Sequence, residues 1–229
     1  MNFAAIAWLV LRKDLAIETR SWEIVSTTLF FAVSCVLIFA FAFVKEEAAP
    51  GAAADAAAGI LWIAVAFAGT LALGRTFERE RYGDTLKALL LAPAPRPAIY
   101  VGKLLGIVLL LAAAEALLVP LIALLFGAPF FSRPLILIGL LAAGTVGFGA
   151  VGTLFAAMLV RARTRDVLLP ILLYPITVPV IIAGVRGTSA LTASPVNENL
   201  ALMWLAILTS FDVVFVTLAL WTFEPLMTE

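Results

Sequence analysis

Two acidic residues lie inside long apolar stretches, where an ionisable side chain is unusual. Glu115 lies within residues 99–126 and Asp212 within residues 200–223. Ionisable groups inside a membrane are costly, and for that reason they are functional candidates. No Lys or Arg lies at a matching depth, so either carboxyl can be protonated. Two interpretations stay open: a proton-carrying pair in a secondary carrier, or neutral carboxyls hydrogen-bonded to hydroxyl groups of neighbouring helices.

A charged segment between the second and third apolar stretches is the second candidate. Acids and bases alternate before Gly83, and a leucine-rich stretch then runs into prolines at 93, 95 and 97. Asp84 can cap a helix over 85–91, which the prolines end. We predict a cytoplasmic coupling helix that fits a groove on another protein; a solvated hairpin on the bilayer surface is the alternative. The predicted interface consists of Glu78, Arg79, Glu80, Arg81, Tyr82, Gly83, Asp84, Thr85, Leu86, Leu89 and Leu90.

Three prolines interrupt the fifth apolar stretch, at Pro170, Pro175 and Pro179. Each proline removes a backbone donor and disturbs the helical turn before it. Inside a bilayer the freed carbonyl groups need partners from neighbouring helices or water. We therefore expect this helix to pack inside the protein or to line a cavity, with the prolines as hinge candidates. A kinked helix with only a packing role is the alternative.

Several kinds of chemistry are excluded by the residues that the sequence lacks. It has no histidine and a single cysteine, Cys35. A Ser-His-Asp triad, a zinc hydrolase site and a histidine-ligated haem are therefore excluded within this chain. A phosphate-binding loop of the G-x-x-x-x-G-K-[ST] type is also missing. We expect no enzyme activity, metal site or bound cofactor in this chain, and any ATP must be bound by another chain.

The composition identifies the elements that must position these residues. Of the 229 residues, 64% are hydrophobic and 13% are charged, whereas soluble domains have about 25% charged residues. A soluble domain, a disordered chain and a nucleic-acid-binding protein are thereby excluded. Because a membrane-spanning helix needs about 20 apolar residues, we predict an all-α integral membrane protein that forms one domain over 1–229. Its six spans are predicted at 24–44, 56–74, 99–126, 135–160, 167–185 and 200–223.

The distribution of basic residues predicts the orientation of these spans. All but three of the 15 Lys and Arg residues fall in the N-terminal segment or in the loops on the same side of the predicted membrane. Basic loops stay in the cytoplasm, so both termini are predicted to be cytoplasmic. The exceptions, Lys45, Arg133 and Arg186, are assigned to the short loops 45–55, 127–134 and 186–199.

The N-terminal segment 1–23 combines aromatic, aliphatic and charged residues. Trp8, Leu11, Leu15 and Trp22 fall near helical spacing, and charged residues lie between them. Tryptophan prefers the membrane interface, and basic residues favour the cytoplasmic leaflet. We predict an amphipathic helix that lies along the cytoplasmic membrane surface; an irregular lead-in to the first span is the alternative.

The charged segment resembles the coupling segment of ABC-2-type exporter permeases. The shared features are Glu78 and Glu80, the run Gly-Asp-Thr-Leu at 83–86, the following leucines, Pro93 and the pair Gly102-Lys103. Together with Ile-Leu-Trp-Ile-Ala at 60–64 and the proline-rich run 168–182, nearly the whole chain resembles the heme exporter protein B (CcmB) family. Members of that family are membrane permeases of the cytochrome c maturation system.

This resemblance implies a multi-pass protein of the bacterial inner membrane that works in a complex. The implied partners are a cytoplasmic ABC ATPase dimer that binds ATP and Mg²⁺, a haem-handling membrane protein, a small membrane subunit and a periplasmic haem chaperone. ATP hydrolysis would serve haem export or release of the haem-loaded chaperone. Because this chain lacks histidine, we expect a partner to ligate the haem. The open alternatives are a proton-coupled carrier that uses Glu115 and Asp212, and a non-transporting scaffold that relays ATPase motion.

Overall fold

The computed structural model describes residues 2–43, 52–77, 95–160, 162 and 164–226. These ranges are helical and contain no strand, and a 3-10 turn at Phe130–Ser132 joins the fourth and fifth helices. The helices are α1 Phe3–Ser21, α2 Glu23–Phe43, α3 Ala52–Thr76, α4 Arg96–Phe126, α5 Pro134–Met158, α6 Arg165–Thr192 and α7 Glu198–Leu226. Helices α2 to α7 are each long and apolar enough to cross a membrane. The prediction of six helical spans is therefore confirmed.

The largest difference from the predicted boundaries is at the end of α6. The span was predicted to end at residue 185, but the helix continues to Thr192. The assignment of Arg186 to a loop is therefore wrong. The extra turns persist because Gly187 and Thr188 are buried among the other helices. Tertiary packing, which hydropathy does not report, sets this helix end.

Helices α3 and α5 form the centre of the bundle. Helix α3 contacts α2, α4, α5 and α6, whereas α5 contacts α3, α4, α6 and α7. Of the most apolar stretch of each helix, 67% is buried in α3 and 61% in α5, against 17% in α2 and 11% in α7. Small residues allow helices to approach closely within a membrane, and both central helices are rich in Ala and Gly. Helices α2 and α7 therefore lie at the periphery.

Glycines on different sides of α5 allow different neighbouring helices to approach it closely. A methyl group at Gly147 would lie 2.6 Å from a carboxylate oxygen of Asp212 in α7, and one at Gly152 would lie 2.1 Å from Leu73 in α3. At Gly149 the added carbon would meet Leu104 of α4 at 3.2 Å. The close packing of α5 against three helices thus depends on the absence of side chains at these positions.

Trp62 fills the space between α3, α5 and α6. Its indole N–H donates a hydrogen bond to Thr188 Oγ1 at 3.0 Å, and the ring is almost fully buried. A Cβ atom added to Gly144 of α5 or Gly184 of α6 would lie 2.0 or 2.4 Å from the indole. The ring therefore occupies a slot between two glycines, and its one polar atom has a partner, as a buried tryptophan requires.

Both ends of the described chain lie at the same end of the bundle. Helix α1 packs along the first turns of α4, and the last turns of α7 reach the same part of α4. There the rings of Tyr100 and Phe223 are 5.4 Å apart, and Arg96 Nη1 donates to the Glu224 carbonyl at 3.5 Å. We call this end of the bundle, where α3 also finishes, the α1 end.

Candidate functional site

The predicted coupling residues all lie in a segment that the structure does not describe. Glu78, Arg79, Glu80, Arg81, Tyr82, Gly83, Asp84, Thr85, Leu86, Leu89 and Leu90 fall outside the described residues. The residues on either side of this segment in the sequence, Phe77 and Pro95, are described. Both lie at the α1 end, so this end contains the described part of the candidate site.

The departure point is joined to the start of α2. Arg75 Nη1, in the last turn of α3, lies 2.9 Å from Glu23 Oε1, in the first turn of α2. Both side chains are exposed, so this ion pair adds little stability. Phe77, by contrast, is buried with 1% of its surface exposed. The chain is therefore fixed by packing at Phe77, immediately before the charged segment begins.

Lys103 of α4 is a deeply buried charged group at the α1 end. Only 2% of its side chain is exposed, and Nζ lies 2.9 Å from Asp14 Oδ2 of α1. Nζ also donates to the Thr76 carbonyl at 3.1 Å and lies 5.2 Å from the centre of the Phe77 ring. A buried ammonium group is costly unless it is paired and hydrogen-bonded. The Thr76 carbonyl is a suitable partner because helix C-termini attract cations.

The neighbouring Gly102 allows α1 to reach this position. A Cβ atom at Gly102 would lie 2.7 Å from both the Ala7 carbonyl oxygen and Val10 Cβ. Ala7, Val10 and Leu11 are all buried on this side of α1. The pair Gly102-Lys103 therefore forms the docking point of α1, through close backbone approach and through an ion pair.

The sequence identifies Gly102-Lys103 only as part of a motif and does not reveal the contact of Lys103 with Asp14. The available signal was a glycine beside a basic residue at the start of an apolar span. The partner could not be found from spacing, because Asp14 lies on another helix that is far away in the sequence.

The four apolar residues that fall near helical spacing in α1 separate into two groups. Leu11 has 3% of its surface exposed and points towards Gly106 of α4. Trp8 and Trp22 are 60% and 61% exposed, and Leu15 is also exposed. These three residues are spaced by two helical turns and form one outward stripe. The helical spacing identifies the apolar residues of α1, but it does not distinguish the side that packs on the protein from the side that faces outward.

A tight corner joins α1 to α2. Trp22 has a φ of 54°, in the left-handed region, and its N–H donates to the Glu18 carbonyl at 2.7 Å. The Glu18 carboxylate accepts a 2.8 Å hydrogen bond from the Val25 N–H. A carboxylate is favourable there because the first N–H groups of a helix lack partners within the helix. The end of α1 thus caps the start of α2 and fixes the angle between them.

The two intramembrane acids are not brought together. Glu115 is buried in α4 and accepts a hydrogen bond from Thr145 Oγ1 of α5. Asp212 of α7 lies against Gly147 of α5, and its Oδ1 has no hydrogen-bond partner among the described residues. Neither acid forms an ion pair within the described part of the chain. Thr145 is the kind of partner that the neutral-carboxyl interpretation requires for Glu115.

Helix α6 continues through all three of its prolines. Pro175 and Pro179 are exposed on its outer side, and Pro170 is partly buried. Within this chain Pro175 and Pro179 therefore do not face the packed interior, and their role as cavity candidates stays a prediction. The physical reason is that the inner side of α6 is occupied by packed residues such as Leu173 and Thr177, which are fully buried. A hinge role for the prolines stays a prediction.

Helix α3 is joined to α6 at two levels by side-chain hydrogen bonds. Thr70 Oγ1 lies 3.2 Å from the Tyr174 hydroxyl, and Trp62 donates to Thr188. Both pairs are buried or partly buried, where such bonds are not weakened by competition with water. A displacement of α3 at the α1 end therefore has two polar contacts through which to reach α6.

Groups that could ligate a metal are few. Among the residues that the structure describes, no three His, Cys, Asp or Glu side chains cluster to hold a metal ion. Cys35, which is partly buried in α2, is a free thiol. The expectation that a partner ligates haem is not tested by this arrangement and stays a prediction.

Comparison with known proteins covers nearly the whole chain. The sequence profile of the CcmB protein family matches residues 5–225. The chain is 28% identical over 202 residues to heme exporter protein B of Pseudomonas aeruginosa, covering 88% of each protein. It is 24% identical over 188 residues to heme exporter protein B of Bradyrhizobium diazoefficiens, covering 82% of this chain and 83% of that protein. The heme exporter protein B of Rhodobacter capsulatus is 33% identical over 128 residues, or 56% of this chain and 58% of that one.

Proposed function

The chain belongs to the CcmB family, and from that premise we propose that it is the permease subunit of an ABC-type complex for haem export in cytochrome c maturation. The similar proteins are named heme exporter protein B, and six long apolar helices suit a permease. The sequence has no phosphate-binding loop, so a separate cytoplasmic ATPase dimer binds ATP and Mg²⁺. Hydrolysis serves haem export or release of a haem-loaded periplasmic chaperone.

The construction of the α1 end is the observation that supports coupling to an ATPase. Segment 78–94 connects Phe77 at the end of α3 with Pro95 at the start of α4, and ion pairs join α3 to α2 and α4 to α1 at this end. A segment whose two ends are held by α3 and α4 passes a displacement to both helices. We propose that its leucine-rich part, 85–91, docks in a groove of the ATPase and that closure of the ATPase dimer moves it. Glu78 to Arg81 set the electrostatic match at this interface, where charges mainly tune rate and specificity.

Motion then passes from α3 to α6. The contacts that support this step are the Thr70–Tyr174 and Trp62–Thr188 hydrogen bonds. The prolines of α6 lower the resistance of that helix to bending, because each one removes a backbone hydrogen bond. In this proposal Pro170, Pro175 and Pro179 act as the hinge by which α6 responds.

The proposed orientation places the α1 end in the cytoplasm of a bacterium and the six spans in its inner membrane. The exposed stripe of Trp8, Leu15 and Trp22 fits the lipid interface, and Arg12 and Arg20 of α1 are also exposed. Tryptophan at the interface and basic residues in the cytoplasm are the usual arrangement. Helix α1 would then lie along the membrane surface while its inner side packs on α4.

The remaining partners are a haem-handling membrane protein, a small membrane subunit and the periplasmic haem chaperone. Helices α2 and α7 bury little of their apolar surface within this chain, so they are the expected contacts for other membrane subunits. Haem is ligated by one of these partners, since this sequence offers no histidine.

Co-purification from mild detergent tests this function. A tag on the native chain should bring down a nucleotide-binding subunit together with haem proteins. Changing Leu86, Leu89 and Leu90 to serine should remove that subunit, because the docking helix loses its apolar face. A matched control changes Leu124 and Leu135 to serine; both are more than 80% exposed and lie away from the α1 end.

If the native chain purifies without any ATPase subunit, the proposed ABC function is contradicted. The carrier that uses Glu115 and Asp212 then becomes the leading function, and neutralising both acids as Glu115→Gln and Asp212→Asn should abolish transport. Under the ABC function the same double variant should change mainly stability.

A further inference from the structure

We propose that Lys103 is a positioning residue that fixes α1 to the base of segment 78–94, so that α1 moves with that segment when the ATPase binds. The proposal deepens the proposed function and rests on it for its coupling role. Its structural part, the joint between α1, α3 and α4, rests only on contacts within this chain. Lys103 contacts Asp14 on α1 and both Thr76 and Phe77 at the end of α3.

Packing at Gly102 brings α1 close to α4. The surface between them consists of small and aliphatic residues around Gly102, including Ala7 and Val10. Apolar contact is not directional, so a polar contact between the helices adds to the definition of their register. Hydrogen bonds to charged groups are short and directional. The ammonium of Lys103, held 2.9 Å from Asp14 and 3.1 Å from the Thr76 carbonyl, therefore contributes to the register.

Lys13 provides a contrast on the same carboxylate. Its Nζ lies 3.0 Å from Asp14 Oδ1, yet its side chain is 41% exposed and belongs to α1 itself. The Lys13–Asp14 pair therefore links neighbouring residues of α1, whereas the Lys103–Asp14 pair joins two helices. A change at Lys13 removes a charge from the same site without breaking the joint, which makes Lys13→Met the matched control.

The choice of variant must separate loss of the joint from loss of folding. Lys103→Met alone leaves Asp14 without its buried partner, and Asp14→Asn alone leaves a buried ammonium. Removing one member of a buried pair is strongly destabilising, but replacing both is often close to neutral. The double variant Lys103→Met with Asp14→Asn should therefore fold while lacking the joint. This double variant is therefore used in two measurements, one on the chain alone and one on the whole complex.

The first measurement uses the full chain alone in lipid nanodiscs, with Cys35→Ser as background. Spin labels at Arg12→Cys in α1 and Met158→Cys at the end of α5, both exposed positions, report where α1 lies. We expect the double variant to broaden or shift the distance distribution and Lys13→Met to leave it unchanged. An unchanged distribution in the double variant would overturn the proposed joint, whatever the ATPase does.

The second measurement uses the whole complex and compares cytochrome c formed with ATP hydrolysed. We expect the double variant to retain the ATPase subunit but to form less cytochrome c per ATP than the native complex, because α1 no longer follows the segment. A ratio equal to that of the native complex would overturn the coupling role. If the native chain retains no ATPase subunit, the proposed function has failed and the coupling role fails with it, while the spin-label result still decides the joint.

Discussion

Lys103 and Glu115 are ionisable side chains buried in an apolar bundle, and each has a partner on another helix. Lys103 pairs with Asp14 of α1, and Glu115 accepts a hydrogen bond from Thr145 of α5. The cost of burying an unpaired polar group is large, so such partners are expected where the chain tolerates charge. Asp212 differs, since its Oδ1 is buried without a partner among the described residues.

The sequence identified Glu115 and Asp212 as unusual because an acid stands out in an apolar run. It could not identify Thr145 as the partner, because hydroxyl residues occur in most of the spans. The sequence places Lys103 in a motif but does not reveal its burial, because that burial depends on the position of α1, which no local sequence pattern reports. The sequence therefore reveals residues that are unusual in their surroundings, but it does not reveal their partners on other helices.

Glycine substitutions at the residue scale test how closely α1 docks. Gly102→Ala should destabilise the chain by about 1–3 kcal/mol, the usual cost of overpacking, because the added carbon meets the backbone of Ala7 at 2.7 Å. Gly74→Ala is the control, since nothing lies within 4 Å of its added carbon. Alanine is the better helix former by up to about 1 kcal/mol, so Gly74→Ala should be neutral or stabilising. Thermal unfolding in detergent measures both, and equal midpoints would contradict close docking.

At the scale of the helices, the number and type of elements followed from length and hydropathy. A stretch of about 20 apolar residues needs a helix in a bilayer, which is why all six spans were placed. The packed side of α1 and the end of α6 could not be predicted. Leu11 has the same spacing as the exposed Leu15, yet it packs on α4; α6 extends beyond residue 185 because its extra turns are buried. Both features depend on packing between helices, which the pattern of a single helix does not contain.

The contact between α4 and α5 gives the prediction at this scale. Thr145→Val keeps the shape of the side chain but removes the donor to Glu115, so it should lower the free energy of unfolding by about 1–3 kcal/mol. Adding Glu115→Leu should recover much of that loss, because no buried carboxyl then lacks a partner. Thr222→Val, which affects only a bond to the helix's own backbone in α7, is the control. Additive losses in the double variant, measured by thermal unfolding, would show that the two side chains do not act as a pair.

At the scale of the whole molecule, the arrangement divides into a central pair, α3 and α5, and a periphery formed by α2 and α7. The central pair connects the base of the charged segment to α6, and the periphery leaves apolar surface for lipid or other subunits. Under the proposed function this division has a role, because a permease subunit would receive motion at one end and contact membrane partners on its sides. At the α1 end the described chain brings together several helix ends and the ion pairs of Arg75 with Glu23 and Lys103 with Asp14.

The orientation of this end in the membrane is the last prediction, and it follows from charge rather than from packing. Most of the described Lys and Arg residues lie on the side of the α1 end, and basic segments remain in the cytoplasm. In intact spheroplasts that carry Cys35→Ser, a membrane-impermeant maleimide should label Phe131→Cys at the opposite end, where that side chain is 61% exposed. Arg12→Cys should be labelled only after the membrane is permeabilised. Labelling of Arg12→Cys in intact cells would place α1 outside, where no cytoplasmic ATPase could reach the segment that α1 supports.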